Sequence, residues 1–503
     1  MNMRAVKSMI IVGGGTAGWM AAASLKHHFK ERIDITLIES SEIGTIGVGE
    51  ATIPAIRHFY YNLGLSDVDV IRATRGTCKL GIQFHDWLKP GSRFVHPFGV
   101  YGQSLKGTEF HHYWLKMRRK NLAAELGDYS LGVMLAKNSK FTFPAKNPPS
   151  SLSVFDWALH FDAALFAKML RKHAENNGVK RIDAKIINVK RRDDDGFIES
   201  VQLDSGAIHD ADLFIDCSGF NAVLSEQALA TGYEDWSHWL LCDRAYAVQS
   251  KSVAPPNSFT DVTARPAGWQ WKIPLQHRVG NGHVFSSQFM RDEIARDILL
   301  NNITGEPLHE PRKIMFKPGR RKLAWNKNCI ALGLAGGFLE PLESTSIALI
   351  QTGIERIRSL LGACQYNDTI TREFNETTVL EYERVRDFVV LHYKLNGRDD
   401  SEFWRYCRAM SIPDSLQHKM ELFKSTGHVV NYRWEMFHVP SWLAIFEGFD
   451  YLPDVYDAQV DQLDEMMLAQ NLERMRESLR LAVADTPDHA EFIAQYCAAE
   501  EIA

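Results

Sequence analysis

The feature that most constrains the fold is a glycine-rich turn near the start of the chain. Met9–Val12 is an apolar run typical of a strand, and Gly13–Gly18 reads GGGTAG. A predicted helix, Trp19–Phe29, and a second predicted strand, Ile33–Glu39, follow. A strand, a turn, a helix and a further strand form a βαβ unit, which requires a parallel sheet with covered faces. The sequence therefore predicts an α/β fold that opens with a nucleotide-binding unit.

The turn matches the pattern G-x-G-x-x-G, whose glycines let the backbone approach a pyrophosphate at the N-terminus of a helix. Glu39 ends the second strand 21 residues after Gly18. A carboxylate at that offset can bind ribose hydroxyls. A glycine-rich turn without a ligand is the alternative, and the flanking strand, helix and acid disfavour it. The turn residues expected at the cofactor are Gly13, Gly15, Thr16, Ala17 and Gly18.

Two later segments favour FAD over NAD as this cofactor. Phe214–Gly219 and Ala331–Gly337 each read as a strand that runs into small residues. A long cofactor is contacted again at such places, and the pattern looks like that of FAD-dependent monooxygenases. Only one glycine motif opens a βαβ unit, so we expect no separate NAD(P)H domain. Reduced flavin must then be supplied from elsewhere.

Composition excludes several other classes of protein. The 503 residues are 45% hydrophobic and 24% charged, with a formal net charge of -5, which indicates a globular chain without a nucleic-acid footprint. No apolar run approaches the roughly 20 residues that cross a bilayer. The seven cysteines contain no CxxC pair, so we expect no metal site, and their odd number fits a reducing cytoplasm. The sequence leaves the oligomeric state open, a homodimer included.

The pattern along the chain changes after the nucleotide-binding start. Alternating apolar and polar residues over 250–290 predict antiparallel sheet, and amphipathic patterns dominate after residue 370. We expect an α/β (α+β) chain in which residues 1–365 form a Rossmann-type FAD-binding domain. An antiparallel sheet is expected as an insertion at about 240–310, and residues 366–503 as a mostly helical region that covers the substrate.

Three motifs and one lysine narrow the function. Gly47–Pro54, Gly268–Pro274 and Phe338–Thr345, together with Lys79, resemble the flavin-dependent tryptophan halogenases. The most distinctive is the W-x-W-x-I-P string within Gly268–Pro274, and the likeness extends from the first strand to at least residue 361. The resemblance implies that reduced FAD, oxygen and chloride or bromide yield hypohalous acid. That acid then halogenates an indole-type aromatic substrate by electrophilic substitution.

The resemblance also assigns the two catalytic residues. Lys79 matches the essential lysine of the family, which hydrogen-bonds hypohalous acid or forms a haloamine with it. Glu343 matches the catalytic glutamate, which orients the active halogen species, stabilises the cationic ring or accepts its proton. Taken without the resemblance, Lys79 reads as a solvated surface lysine and Glu343 as an acid in the first turn of a helix.

The family's halide and flavin contacts map onto further positions. Backbone amides at Thr345 and Ser346 match the halide site, where many members carry glycine in place of Ser346. A plain Ser/Thr helix N-cap is the alternative for Ser344 and Thr345. The positions expected at FAD are Val48, Gly49, Glu50 and Ala51 in a loop over the cofactor, Val189 at the adenine, Gly333, and Ile347.

A tunnel wall and a substrate site complete the resemblance. Trp269, Trp271 and Ile273 alternate and so share one face of a strand, where they match the wall between flavin and substrate. Pro274 is expected to end the pairing of that strand. The segment beside the substrate ring is His96, Pro97 and Phe98, and Ser344 is expected near the substrate too. A core aromatic stripe and a core histidine are the alternatives.

One region departs from the family pattern. Members that act on free tryptophan hold its amino and carboxylate groups with a C-terminal segment rich in tyrosine plus a glutamate. This clamp does not map onto Val430–His438. We therefore expect an indole-like substrate other than free tryptophan, and bromination as the easier reaction. A flavin-dependent hydroxylase and a non-catalytic FAD-binding protein remain alternatives. The two tryptophans of the wall argue against the first, and Lys79 with Glu343 against the second.

Overall fold

The chain divides into two compact units, each assembled from three stretches of sequence. A computed structural model describes residues 3–44 and 50–499. The first unit comprises Met1–Gly76, Phe161–Asp243 and Ile314–Glu383. The second comprises Thr77–His160, Arg244–Lys313 and Arg384–Ala503. This division differs from the predicted one at residue 365, because the inserted sheet and the helical C-terminal region belong to the same unit.

Short strands alternate with helices along most of the chain. The strands are β1 (Arg4–Ala5), β2 (Ser8–Val12), β3 (Asp34–Glu39), β4 (Glu50–Ala51), β5 (Thr77–Lys79), β6 (Gly81–His85), β7 (Arg93–Pro97), β8 (Ala158–Phe161), β9 (Lys180–Asp183), β10 (Ile186–Arg191), β11 (Ile198–Leu203), β12 (Ile208–Asp210), β13 (Leu213–Asp216), β14 (Tyr233–Asp235), β15 (Arg244–Ser250), β16 (Thr260–Arg265), β17 (Gly268–Pro274), β18 (Val279–Phe285), β19 (Arg312–Met315), β20 (Gly319–Arg321), β21 (Trp325–Asn326), β22 (Cys329–Ala331), β23 (Gly337–Phe338) and β24 (Gln365–Tyr366).

The helices become longer and more frequent toward the C-terminus. They are α1 (Thr16–Phe29), α2 (Ala55–Asn62), α3 (Asp67–Thr74), α4 (Phe110–Arg119), α5 (Leu131–Lys137), α6 (Ala163–Asn176), α7 (Asp292–Asn301), α8 (Ser346–Leu360), α9 (Asp368–Lys394), α10 (Glu402–Ala409), α11 (Asp414–Thr426), α12 (Val439–Gly448), α13 (Glu465–Ala484) and α14 (His489–Phe492). Within residues 3–44 and 50–499, none of these helices has both the length and the apolar composition that crossing a membrane requires.

The first unit is built on a sheet with the strand order β21-β22-β13-β2-β3-β9. From β22 to β9 the neighbouring strands are parallel, and β2, α1 and β3 form the predicted βαβ unit. In the register of the sheet, Val12 lies beside Ile38 and Asp216, and Asp216 lies beside Ala331. The chain therefore leaves β2, β3, β13 and β22 at one edge, which is where an open parallel sheet binds its ligand.

The second unit contains a largely antiparallel sheet in which β15-β18-β17-β16-β6-β7 are neighbours in that order. The pairs β15–β18, β18–β17, β17–β16 and β6–β7 are antiparallel, whereas β16 and β6 are parallel. In a further small sheet, β5 pairs antiparallel with β8 and places Lys79 opposite Ala158 and Thr77 opposite His160. The predicted antiparallel sheet is thus present, and it recruits β6 and β7 from much earlier in the sequence.

Candidate active site

The glycine turn of the first unit is too crowded for a side chain at Gly13, Gly14 and Gly18 and is open at Gly15. Gly13 has a φ of +107°, and a Cβ there would lie 2.3 Å from the Cys217 carbonyl oxygen. A Cβ on Gly14 would lie 1.4 Å from the Glu39 carboxylate. Gly15, which precedes α1, has no described atom within 4 Å of the place of a Cβ. Free space over the first N–H groups of a helix fits the pyrophosphate of a dinucleotide.

Glu39 lies against this turn, as its offset predicts. Its Oε1 accepts a hydrogen bond of 2.5 Å from the Nε of Arg181. Its Oε2 is the atom that a Cβ on Gly14 would strike. The Arg181 guanidinium also donates to Asp183, so two carboxylates hold this arginine in place. One carboxylate oxygen of Glu39 is therefore fixed by protein, while the other faces the turn.

Both late segments return to the same edge of the parallel sheet. A Cβ on Gly333, whose φ is +61°, would lie 2.9 Å from the Ala17 Cβ on α1. Asp216, at the end of β13, accepts five hydrogen bonds from the backbone and hydroxyl groups of Ser218 and Ser225 and from the backbone N–H of Leu224. Asp216 thereby fixes the chain after β13, a role that the sequence did not single out.

The remaining residues expected at FAD fall in three places. Val189 lies on β10 and packs against an apolar cluster that includes Val12 and Ile38, whereas Ile347 is buried in the first turn of α8. Glu50 and Ala51 form β4 and are half-buried. Burial, together with the nearby Asp162 carboxylate, raises the pKa of Glu50 to about 7. Val48 and Gly49 lie outside the described residues.

The segment expected to bind halide surrounds the start of α8. Glu343, Ser344 and Thr345 are buried, and Ser344 adopts a left-handed conformation with a φ of 60°. Thr345 is the N-cap of α8, yet its side chain makes no capping hydrogen bond. Its Oγ1 is buried and finds no hydrogen-bond partner among the described residues. The alternative of a plain Thr N-cap is therefore wrong, and Glu343 precedes the first turn of α8.

Lys79 is buried in the second unit, at the end of β5. Its Nζ lies 5.2 Å from the centre of the Phe98 ring, within the range of a cation–π contact. Thr77, Cys78 and Leu80 around it are also buried. Since the side chain of Lys79 has no exposed surface, its reading as a solvated surface lysine is wrong.

A neutral histidine lies beside Lys79 in a chain of hydrogen bonds. The Thr77 hydroxyl donates to the Pro274 carbonyl at 2.8 Å and lies 3.0 Å from His160 Nδ1. Because that hydroxyl has one hydrogen, His160 donates from Nδ1 and accepts at Nε2 from the Thr260 hydroxyl, 2.9 Å away. Burial and then the charge of Lys79 hold the pKa of His160 well below its ordinary value. The imidazole of His160, which feels the charge of this buried cation, is therefore uncharged at physiological pH.

A second buried histidine supports the backbone next to Lys79. The Cys78 N–H donates to His489 Nε2 at 3.1 Å, and His489 Nδ1 lies 2.9 Å from the Pro256 carbonyl oxygen. Burial lowers the pKa of His489 to about 4. The start of α14 is thus joined to the strand that carries the lysine. Sequence periodicity did not identify His160 or His489 as site residues, because the partners of both histidines are distant in the sequence.

The residues expected to form the tunnel wall lie on β17. Trp269, Trp271 and Ile273 are buried, and the two indole rings lie 5.9 Å apart at 54°. The ring of Trp271 lies over Gly282 on β18, where a Cβ would meet it at 2.1 Å. Its Nε1 is buried without a hydrogen-bond partner in the part of the chain that the structure describes. β17 ends at Pro274, as expected.

His96 and Pro97 end β7, and Phe98 follows them. The His96 ring lies 5.7 Å from that of Phe388 on α9 and 5.9 Å from that of Phe437, which are themselves stacked 4.1 Å apart. Phe98 lies 6.4 Å from His96 and is also the ring under Lys79. The lysine and the predicted substrate segment thus share one aromatic cluster, to which α9 adds residues that the sequence did not single out.

The sequence profile of the tryptophan halogenases matches residues 8–465. The chain belongs to the tryptophan halogenase family. It is similar to the tryptophan 6-halogenase SttH of Streptomyces toxytricini, with 35% identity over 451 residues, 84% of this chain and 85% of that protein. Among solved structures it is similar to BrvH, a flavin-dependent halogenase from Brevundimonas sp. BAL3, with 56% identity, a TM-score of 0.95 and coverage of 98% and 99%. Another is Xcc4156, a flavin-dependent halogenase from Xanthomonas campestris, with 42% identity, a TM-score of 0.95 and coverage of 99% and 100%.

Membership of the tryptophan halogenase family decides between the functions that the sequence left open. The chain is an FAD-dependent halogenase that uses reduced FAD and halide, and the Rossmann-type FAD-binding fold is confirmed. The hydroxylase and the non-catalytic FAD-binding protein are not supported. Flavin-dependent halogenases act on aromatic substrates and receive reduced flavin from a separate reductase.

Proposed function

We propose that this tryptophan halogenase makes hypohalous acid at the dinucleotide-binding unit and delivers it through Lys79 to an indole-type substrate other than free tryptophan. The observation that carries the proposal is the complete burial of Lys79 beside the aromatic cluster of His96 and Phe98. A reactive amine is useful there because bulk water cannot compete for the oxidant.

The FAD site is built from Gly13, Gly15, Glu39 and Gly333, with Thr16, Ala17, Gly18 and Ile347 on the adjoining helices. When bound, reduced FAD supplies the oxidising power with which oxygen converts halide to hypohalous acid. The open space over Gly15 leaves the N–H groups at the start of α1 free for the pyrophosphate. Glu39 offers its second oxygen to the ribose hydroxyls, and Val189 contributes its backbone at the adenine.

The halide site is formed by the backbone N–H groups of Thr345 and Ser346 at the start of α8. The buried hydroxyl of Thr345 adds a donor that no described residue uses. A hydroxyl left unpaired inside a protein costs free energy, unless a ligand accepts its hydrogen bond. The half-buried Ser346 contributes only its backbone, so its side chain does not change the anion site.

Replacing Thr345 with valine keeps the shape of the side chain and removes this donor. We expect the KM for bromide to rise about tenfold or more, because a hydrogen bond to an ion contributes about 1.5–3 kcal/mol. The free energy of unfolding without halide should not fall, since the variant no longer buries an unpaired hydroxyl. Steady-state rates against bromide concentration and urea unfolding measure the two effects. Thr426→Val, at the exposed end of α11, is the matched control, and an unchanged KM for bromide in Thr345→Val would contradict the assignment.

Lys79 holds hypohalous acid through its Nζ, by a hydrogen bond or as a haloamine. The neutral state of His160 matters here, because a second cation beside Lys79 would repel the ammonium. Thr77, His160 and Thr260 form a hydrogen-bonded support that fixes β5 against β8 and β16.

The wall of Trp269, Trp271 and Ile273 lets a small oxidant pass and excludes an indole. The Trp271 N–H can donate a hydrogen bond to the passing hypohalous acid.

Glu343 is the second proposed catalytic residue. A buried carboxylate can stabilise the cationic ring that forms when the halogen adds, and can accept the ring proton that leaves. Glu343 ends the short 3-10 helix Pro341–Glu343 that precedes α8, and its side chain is buried. Ser344, in its left-handed conformation, connects Glu343 with the halide site.

The proposed partners are an aromatic substrate and a separate NAD(P)H-dependent flavin reductase that releases reduced FAD. His96, Pro97 and Phe98 form the substrate site, where stacked rings fix an indole. We place the reaction in the cytoplasm, because none of the cysteines, all of them in described segments, forms a disulfide.

The proposal is tested by incubating the enzyme with FAD, a flavin reductase, NADH and a panel of indoles, separately in chloride and in bromide. We expect mass spectrometry to find monohalogenated indoles, more of them with bromide because bromide is easier to oxidise. Free tryptophan should be a poorer substrate than indole. Oxygenated products without halide, or flavin turnover that yields neither, would overturn the proposal.

A further inference from the structure

A cluster of charged side chains lies in the second unit, on α9, on α11 and on the segment before α12. We call it the cation cluster, and its members contact one another directly. They are Arg384, Arg386, Asp387, Lys419, Tyr432 and Glu435. Three cations and two carboxylates leave one positive charge in excess.

The acidic group of the C-terminal segment is already used within the cation cluster. Glu435 forms an ion pair with Lys419, and the two side chains are only 4% and 1% exposed. Its Oε2 also accepts the Tyr432 N–H at 3.0 Å. The Lys419 Nζ lies 3.9 Å from the centre of the Trp442 ring, so a cation–π contact holds it as well. Glu435 is therefore occupied by an internal ammonium and is not available to one on a substrate.

Asp387, the other carboxylate of the cation cluster, is engaged as well. Its Oδ1 accepts hydrogen bonds from Nε and a terminal nitrogen of Arg386 at 3.0 and 2.8 Å. Its Oδ2 accepts the Ser415 hydroxyl. A terminal nitrogen of Arg384 comes no closer than 4.0 Å to Asp387, the outer limit of an ion pair.

Arg384 is thus the cation without a matched partner in the cation cluster. Its Cζ lies 4.3 Å from the centre of the Tyr432 ring, so its planar head lies over an aromatic face. Its Nε is buried and finds no hydrogen-bond acceptor among the described residues. The side chain is nevertheless 17% exposed, so a ligand can reach it. A guanidinium that is held against an aromatic ring and has an N–H without an acceptor can donate a charge-assisted hydrogen bond to a carboxylate.

This guanidinium lies close to the proposed substrate site. Arg384 and Phe388 are four positions apart on α9, and hence on one face of the helix about 6 Å apart along its axis. Phe388 contacts the His96 ring and stacks on Phe437. A ring held by His96 and Phe98 that bears a short side chain can therefore place the end of that chain at Arg384.

We propose that Arg384 recognises a carboxylate on the substrate, so that the preferred substrate is an indole with an anionic side chain and no free ammonium group. The inference rests on the proposed function. Glu435, neutralised by Lys419, offers nothing to an ammonium, whereas Arg384 offers a charge-assisted donor to an anion. Arg384 is in this account a specificity residue that takes no part in the reaction itself.

The test compares indole, indole-3-acetate and tryptamine with the wild type and with Arg384→Met. Calorimetric titration gives the affinity for each compound, and product formation in bromide with a flavin reductase gives kcat and KM. We expect the wild type to bind indole-3-acetate more tightly than either indole or tryptamine. In Arg384→Met, the Kd and KM for indole-3-acetate should rise about tenfold or more, as expected for loss of a charge-assisted hydrogen bond. The values for indole should stay within about twofold.

Two further variants separate recognition from structure. Arg433→Met removes an exposed cation from the same segment as Tyr432 and Glu435. It should change neither the Kd nor the KM for indole or indole-3-acetate. Arg384→Lys keeps the charge without the planar fork and should restore part of the affinity for indole-3-acetate. Equal losses for indole and indole-3-acetate, tighter binding of tryptamine, or no effect of Arg384→Met would overturn the inference. If indoles bind as expected but none is halogenated, the proposed function fails and the assignment of Arg384 stands.

Discussion

Replacing Lys79 with methionine is expected to lower the rate of halogenated product by about 10²–10³-fold, the cost of losing one preorganised donor in a buried site. Methionine fills nearly the same space and retains no amine. FAD binding and the use of NADH and oxygen should continue, because the dinucleotide site lies in the other unit. The variant should therefore consume reduced flavin without making the product. The measurement is product by mass spectrometry alongside oxygen consumption.

The matched control is Lys116→Met, which removes another buried lysine of the same unit. Lys116 donates to Asp461 at 3.0 Å and is 5% exposed, so its loss lowers stability without touching the aromatic cluster. A large loss of product in Lys116→Met, equal to that in Lys79→Met, would attribute the effect to stability. Product formation at the wild-type rate in Lys79→Met would refute the role assigned to this lysine.

The second large effect is expected at Gly15. A Cβ at this position meets no described atom, and the backbone is extended with a φ of -76°, so Gly15→Ala should fold as the wild type does. With FAD bound, that Cβ should occupy the space of the pyrophosphate. We expect the Kd for FAD to rise about tenfold or more, since overpacking costs about 1–3 kcal/mol. Fluorescence titration of FAD and thermal unfolding without FAD measure the two quantities.

Gly13→Ala supplies the contrast. Its φ of +107° and the Cys217 carbonyl 2.3 Å from the place of a Cβ predict loss of stability with or without FAD. Gly15→Ala should separate affinity from stability, and Gly13→Ala should not. If Gly15→Ala binds FAD as tightly as the wild type, the cofactor does not lie over the start of α1.

The local elements of the fold were predictable where the pattern was strong. The strands predicted as Met9–Val12 and Ile33–Glu39 are present within one residue at each end, as Ser8–Val12 and Asp34–Glu39, and the helix predicted as Trp19–Phe29 begins three residues earlier, at Thr16. Apolar periodicity and turn residues fix such elements locally. The division into units was not predictable in this way, because it depends on which distant strands pair.

The candidate site shows the same contrast. The glycine turn and the W-x-W-x-I-P strand can be recognised from the sequence, because each consists of particular residue types at closely spaced positions. His160 and His489 do not, since their importance comes from being opposite Thr77 and beside Cys78. The unpaired hydroxyl of Thr345 could not be predicted either. A sequence shows that a threonine lies at the start of a helix, but not whether its hydroxyl makes the capping hydrogen bond. The family resemblance supplied Lys79, and only burial distinguishes it from an ordinary surface lysine.

The hydrogen bond from the Cys78 N–H to His489 has a consequence for biosynthesis. The two residues are 411 positions apart, so a ribosome has long passed the lysine strand before its buried partner exists. Contacts of such sequence separation form late in folding. A nascent polypeptide therefore lacks a finished pocket for the amine until His489 has been translated, and only then can it handle a diffusible halogenating agent.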